Sequence, residues 1–360
     1  MSHSVAVVGA GAIGLSTAWQ LSQWGHQVAL FDPRLNQPSE TGIPSSRGNG
    51  TSASLGVLMG HVFRRSSGRG WRLRQRSMAL WPKWIAELQR FEPALSLNRS
   101  LIQIAEDASA FERMRKLASD RSHLGIQAIP PGDIETIWPT AQFGALRSKN
   151  DGRINPVLLQ KALRLALASS SVELVPEPVD ALTRKNPGWQ LNGSGGHRSV
   201  HDAVVICAAL ASPALIEPLG HSRPISPVLG QALALQCADG PSNWQGWPSV
   251  LVDQGFNLIP NGPKRLLLGA TVEPGDSAAH SPLELMRSLN DRAPTWLKDA
   301  EPIEQWSGLR ARPVDRPAPL LEALEPGLIL ASGHYRNGVL LAPATAEWIA
   351  NGFANDANGF

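Results

Sequence analysis

The chain has 360 residues, 42% of them hydrophobic and 18% charged, which is too long for one hydrophobic core and too apolar for intrinsic disorder, so two structural units are expected. The 33 Lys and Arg against 30 Asp and Glu leave a net +3, which makes no global case for nucleic acid, and the longest apolar run, Ala203–Ala211, has nine residues where a membrane span needs about 20. The N-terminus lacks a basic segment and its apolar stretch is punctuated by glycines, so no signal peptide is read and a soluble, cytoplasmic protein is expected.

In chain order, Ser4–Val8 reads as a strand buried on both faces, and Gly9-Ala10-Gly11-Ala12-Ile13-Gly14 follows at once. Ile13, Ala18, Leu21 and Trp24 recur at helical spacing until Gly25, and Gln27–Phe31 is a second strand ending at Asp32. Residues 36–56, rich in Ser, Gly, Pro, Thr and Asn, read as an irregular loop. Met78, Trp81, Ile85 and Leu88 share a helical face that Pro82 should kink or restart, and Phe111, Met114 and Leu117 mark another helix. Asn155-Pro156 opens a third, from Val157 to about Ala168.

Short strands broken by turns follow, at Val172–Val175, Trp189–Leu191 and Ala203–Ile206. Alternating runs at Leu233–Gln236, Asn257–Ile259 and Leu266–Leu268 predict an antiparallel sheet. The last unit is a strand, Leu328–Ala331, a glycine-bracketed loop, and a helix from about Thr345. The pattern is α/β plus β: a nucleotide-binding domain from three separated segments (1–85, 150–220 and 303–360), with an antiparallel-sheet substrate domain (86–149 and 221–302) inserted between them.

The first glycine motif has a chemical reason. Gly9 permits the tight turn, Gly11 admits a pyrophosphate to the backbone, and Gly14 lets helix and strand pack closely. The pyrophosphate would sit on the first helical N–H groups, around Ala12 and Ile13. Asp32, 18 residues past Gly14, stands where a carboxylate can accept hydrogen bonds from an adenosine ribose. This fingerprint alone leaves NAD and FAD both open. Arg336 and a second helix N-terminus near the chain's end favour a flavin, whose reduced ring carries negative charge; the plain alternative is a C-terminal helix with proline near its start.

Gly9–Gly14 with Asp32, Trp306–Arg310 and Gly333-His334-Tyr335-Arg336-Asn337-Gly338-Val339-Leu340-Leu341-Ala342-Pro343 together resemble the D-amino acid oxidase family of flavoproteins, nearest its glycine oxidase branch in thiamine biosynthesis. The resemblance runs from residue 3 to about 352 and is weakest over 33–145. It implies a glutathione-reductase-like FAD domain and FAD held noncovalently by Gly9, Gly11, Ala12, Ile13, Gly14, Asp32 and the Gly333–Val339 loop. It also implies oxidation of a small amino acid to its imine, then to oxoacid, ammonia and hydrogen peroxide, with oxygen or another electron acceptor. Arg310 would clamp the substrate carboxylate and Arg336 would lie at the mouth shared by flavin and substrate. Asn257 stands where this branch carries a tyrosine near the substrate. A thiazole synthase partner and a homo-oligomer are expected on the same ground.

The chain departs from that branch at Gly56–His61, Ala208–Ser212 and Asn257. Alternatives are therefore a D-amino acid dehydrogenase or sarcosine-type oxidase, or a flavin-binding protein without amine oxidase activity. From another class comes a tRNA-modification flavoprotein with Arg64, Arg65, Arg69, Arg72, Arg74 and Arg76 as its RNA-facing surface; such a run is more often a solvated helix face, and nucleic acid is not the favoured partner. His197 and His201 lie in strand-like sequence, where four residues span about 13 Å, so no metal site is expected. Cys207 and Cys237 offer neither a disulfide framework nor zinc spacing.

Overall fold

A computed structural model describes residues 2–37, 49–241 and 243–354; most of the loop read at 36–56 lies outside the described residues. The strand Ser4–Val8 (β1), helix Ala12–Gln23 (α1) and strand Gln27–Phe31 (β2) form the expected βαβ unit. Val5 to Val8 are buried on both faces, as their uninterrupted apolar sequence requires. β1 is parallel both to β2, with Val7 opposite Leu30, and to Ala203–Ile206, with Val7 opposite Val205. Trp24 departs from the expected helical face: it follows the last turn of α1 and is 44% exposed.

The sheet built on this unit has six strands in the order Leu320–Glu325, Leu328–Ser332, Ala203–Ile206, β1, β2, Glu173–Val175. Only the Leu320–Glu325 edge runs antiparallel to its neighbour. Three segments distant in sequence therefore supply it, which is the α/β arrangement read from the chain. A separate three-stranded antiparallel sheet, Val179–Arg184, Trp189–Gly193 and Arg198–His201, lies between Glu173–Val175 and Ala203–Ile206 in sequence.

The other large sheet has ten strands and is mixed rather than antiparallel, because Val250–Asp253 runs parallel to Leu97–Ile104. Its longest pairing joins Ile225–Gln236 to Glu301–Pro313, from Ile225 opposite Pro313 to Gln236 opposite Glu301. Val57–Leu58 also belongs to it, paired with Arg153 and Gly152. Residues 57–58 and 303–313, expected with the nucleotide-binding segments, are thus hydrogen-bonded into this second sheet. Strand pairing over such separations is fixed by tertiary packing that periodicity does not report.

Helix Gly68–Leu88 (α2) starts ten residues before Met78 and runs through Pro82 as one helix. The C-terminal helix is Gly338–Ala354, beginning seven residues before Thr345, with Pro343 inside it. A proline there disrupts the backbone ladder, and α2 offers substitute partners. Trp81 Nε1 donates to the Leu340 carbonyl at 3.1 Å, and the Ala344 N–H donates to Ser77 Oγ at 3.2 Å. Ser77 and Trp81 are four residues apart, on one face of α2. That contact fixes the start of the C-terminal helix against α2.

Candidate active site

A cavity of about 730 Å³ is lined from both large sheets. Gly9, Gly11, Ala12, Ile13 and Asp32 line one side. Gly9 has φ +105°, and a Cβ there would come within 2.7 Å of the Cys207 carbonyl. A Cβ on Gly14 would lie 1.7 Å from the Gly9 carbonyl oxygen, so Gly14 sits beneath the turn and seats α1 against β1. Gly11 differs. A Cβ there would meet only Thr51 Oγ1 at 3.4 Å, and the missing side chain leaves the backbone bare at the cavity wall.

Gly11 caps α1 without a side-chain hydrogen bond, and the first turn of α1 carries no acidic residue. The Ala12 N–H donates to Thr51 Oγ1 at 2.9 Å. Such a terminus favours an anion. Asp32 accepts from the Ala10 N–H at 2.8 Å through one oxygen and from the Arg34 N–H at 2.8 Å through the other. It ties the glycine turn to the end of β2. Each oxygen still has a lone pair to offer.

The segment after residue 48 completes this side. Asn49 Oδ1 accepts from the N–H groups of Thr51 and Ser52, both at 2.9 Å. Trp306 Nε1 donates to the Ala53 carbonyl at 3.0 Å, and Arg153 Nε to the Leu55 carbonyl at 2.9 Å. A Cβ on Gly308 would meet the Ala53 Cβ at 2.4 Å, so Gly308 lets the two segments touch.

Gly333, His334, Arg336, Asn337, Gly338 and Val339 also line the cavity. The His334 ring is buried, with Nε2 3.0 Å from Thr345 Oγ1, and burial, helped by Arg69, pushes its pKa down to about 3. That side chain is a neutral internal strut, and only its backbone is placed to serve a ligand. Arg336 is exposed. Asn337 Oδ1 accepts from Arg74 Nη2 at 3.1 Å.

Arg310, Asn257 and Gly230 stand on the ten-stranded sheet and line the cavity from that side. Arg310 Nη1 donates to the Leu229 carbonyl at 3.0 Å. Burial foremost, then the neighbouring Arg336, lowers its pKa to about 10, so it is charged at neutral pH. Among the described residues it has no carboxylate within ion-pair distance. Gly230 makes room for it: a Cβ there would lie 2.2 Å from Arg310 Nη2. Asn257 Nδ2 donates to the Gly269 carbonyl at 3.0 Å, which leaves Oδ1 as an acceptor.

In the arginine run after residue 63, Arg64, Arg65, Arg69, Arg72 and Arg76 are exposed, as a solvated face requires, and Arg74 alone is partly buried. Arg76 pairs with Glu347, with Nε to Oε2 at 2.6 Å, and Arg69 donates to the Pro319 carbonyl. Arg74 lies over the Phe63 ring at 4.0 Å and lines the cavity. Gly230 and Thr51 are not singled out by the sequence, and Arg74 stands there only as one member of a basic run, because their places at the cavity depend on contacts across two elements. Cys207 also lines the cavity, and full burial raises its thiol to about 12.

The family model described as FAD dependent oxidoreductase (DAO) matches residues 4–351. The chain belongs to this family. Among curated relatives, the glycine oxidase of Geobacillus kaustophilus is 28% identical, over 97% of this chain and 92% of the relative. The glycine oxidase of Pseudomonas aeruginosa is also 28% identical, over 98% of this chain and 94% of the relative. A bifunctional ThiO/ThiG protein of Nostoc is 27% identical over 98% of this chain, which spans 52% of that longer protein. The crystal structure of the Geobacillus enzyme superposes with a TM-score of 0.81 at 26% identity, covering 97% of this chain and 94% of that one. The oxidoreductase binds FAD. The residues present fit the group: a bare glycine backbone at a helix N-terminus for the pyrophosphate, a carboxylate with spare lone pairs for the ribose, and a second helix start at Gly338 facing the same cavity.

Proposed function

We propose that this oxidoreductase is a glycine oxidase-like amino acid oxidase, and the observation that carries the reading is Arg310. A desolvated guanidinium at a cavity wall, with one carbonyl partner and no carboxylate, is held ready for an anion from outside the fold. A carboxylate clamped by the planar fork is fixed in plane as well as position, so the amine-bearing carbon is presented in one orientation. The Asn257 Oδ1 accepts from the substrate amine and holds its lone pair toward the reacting carbon. Arg336, exposed at the mouth, draws carboxylates in.

The substrate loses two electrons and two protons to become an imino acid, which water converts to oxoacid and ammonia. FAD, when bound, would supply the two-electron acceptor, with oxygen taking up the two electrons and two protons as hydrogen peroxide. FAD is held noncovalently: the one cysteine at the cavity is kept protonated and unreactive by burial. The six-stranded sheet serves as the FAD-binding part and the ten-stranded sheet as the substrate part. The fused ThiO/ThiG relatives support a thiazole synthase partner for a cytoplasmic homo-oligomer in thiamine biosynthesis.

The test is anaerobic mixing of the FAD-loaded protein with glycine, sarcosine and D-alanine, watching the flavin band. Bleaching by at least one, followed by peroxide when air is admitted, is the expected result. Bleaching with electrons passed to a dye but not to oxygen would make it a dehydrogenase. No bleaching by any amino acid would overturn the reading.

A further inference from the structure

One fully buried carboxylate has no part in the chemistry proposed above. Asp151 lies on the strand Ala145–Ile154 of the ten-stranded sheet. Its Oδ1 accepts from the N–H groups of Gly60 and His61, both at 2.9 Å, and lies 3.1 Å from His61 Nδ1. Its Oδ2 accepts from the Val62 N–H at 3.0 Å. Three consecutive backbone donors thus converge on one side chain, which needs both oxygens to receive them. The carbonyls of the same turn are held by Arg121, just past the helix Ala108–Asp120. Its Nη1 donates to His61 at 2.5 Å and to Phe63 at 2.6 Å.

The turn so fixed is the seat of α2. Gly60 leaves room for Met78, since a Cβ there would lie 2.2 Å from Met78 Cγ. Arg74 lies over the Phe63 ring at 4.0 Å, and the Arg121 guanidinium lies over the Trp71 ring at 4.2 Å. Trp71, Arg74 and Met78 stand at i, i+3 and i+7, so one face of α2 rests on residues 60–63 and on the arginine that grips them. The helix passes this placement on. Arg74 Nη2 donates to Asn337 Oδ1 at 3.1 Å, while Ser77 and Trp81 bond the helix start that follows it. Asn337 and Gly338 both line the cavity.

We propose that Asp151 is a positioning residue for the cofactor: through the turn at 60–63 it sets α2, and through Arg74 it sets the corner at Asn337 and Gly338 that is offered to FAD. It acts from behind the wall, by way of three contacts in series. The inference depends on FAD binding and not on which amine is oxidised, so it stands or falls apart from the amino acid oxidase reading.

The test is a double-mutant cycle read as FAD affinity, by titrating each apoprotein with FAD and following the flavin fluorescence. Asp151→Asn, which leaves one oxygen for three donors, should weaken FAD about 10–30-fold, and Arg74→Met about as much. Together they should lose no more than about threefold beyond the larger single loss, because both break one line of contacts. Asp151→Glu keeps both oxygens one methylene further out and should fall between the parent and Asp151→Asn; it takes the place of that variant in the cycle if Asp151→Asn does not fold. Phe63→Ala keeps every Asp151 bond and removes only the half-buried platform under Arg74, and it should reproduce most of the Arg74→Met loss. Losses that multiply in the double variant would overturn the inference and leave Asp151 a purely structural place. So would unchanged FAD affinity in a folded Asp151 variant, or in Phe63→Ala.

Discussion

On the six-stranded-sheet side, the cavity presents backbone: the turn at Gly9, the bare N-terminus of α1 at Gly11, and an Asp32 carboxylate already bonded to two N–H groups. On the ten-stranded-sheet side it presents a side chain, the Arg310 guanidinium, held by one carbonyl in space left by Gly230. The first wall recognises by dipole and close approach, so its chemistry follows from where glycine permits the chain to go. The second recognises by a full charge whose partner is missing, so its chemistry follows from what the fold leaves unpaired. A cofactor that stays bound suits the first, and a substrate that must come and go suits the second.

Several changes test whether the two walls are separable in this way. Gly14→Val should have the largest effect, because a Cβ 1.7 Å from the Gly9 carbonyl can be accommodated only by moving α1 off β1. We expect loss of about 3 kcal/mol or more of stability and no retained FAD. A yellow, normally stable variant would show that Gly14 does not seat the helix. Asp32→Ala should keep the fold and weaken FAD by about 1–3 kcal/mol, measured by titration of the apoprotein. Unchanged FAD affinity in a folded variant would remove Asp32 from the cofactor wall.

The joint between the walls has its own signature in His334. Its folded pKa of about 3 lies below the unfolded value near 6.5, so the stability it contributes is complete above that value and is lost as pH falls toward 3. About 2 kcal/mol should be gone by pH 5, and urea titrations of His334→Gln should show a shallower loss between pH 7 and 5. Parallel slopes for parent and variant would contradict the buried neutral imidazole. Gly230→Ala should be the mildest. Its Cβ meets the movable end of Arg310 and not backbone, so FAD and fold should survive while kcat/KM falls about tenfold. A matching loss of FAD would mean that the walls are not separable.

Legibility in the sequence followed the same division. Where function resides in local backbone, as in β1, the glycine turn, α1 and β2, adjacent residues carry the signal, and the elements fall where the pattern places them. The start of the C-terminal helix was misplaced because Pro343 reads locally as a helix opening. Its cost is met by Ser77 and Trp81, whose relation to Leu340 and Ala344 no local pattern contains. The pairing of Val57–Leu58 and residues 303–313 into the ten-stranded sheet is hidden from the sequence for a similar reason: their partners are far away along the chain. The arginine run is exposed at five of its six positions, as its like charges imply, and what the sequence does not contain is that Arg69, Arg74 and Arg76 each bond elsewhere in the chain. Arg310 itself was reached only through the family resemblance, because nothing in its neighbours announces a charge without a partner.

The central claim is that Arg310 acts on the substrate's carboxylate and on nothing else. Its most direct measurement is a comparison of kcat/KM for a carboxylated amine and the matching amine without a carboxylate, in the parent and in Arg310→Ala, with FAD content checked in both. The account predicts that the variant keeps its flavin and its melting temperature, and loses about 2–5 kcal/mol of transition-state stabilisation for the carboxylated amine. The uncarboxylated amine, already poor, should be nearly indifferent to the change. Equal losses for both amines would contradict the account, because Arg310 would then be acting through the fold.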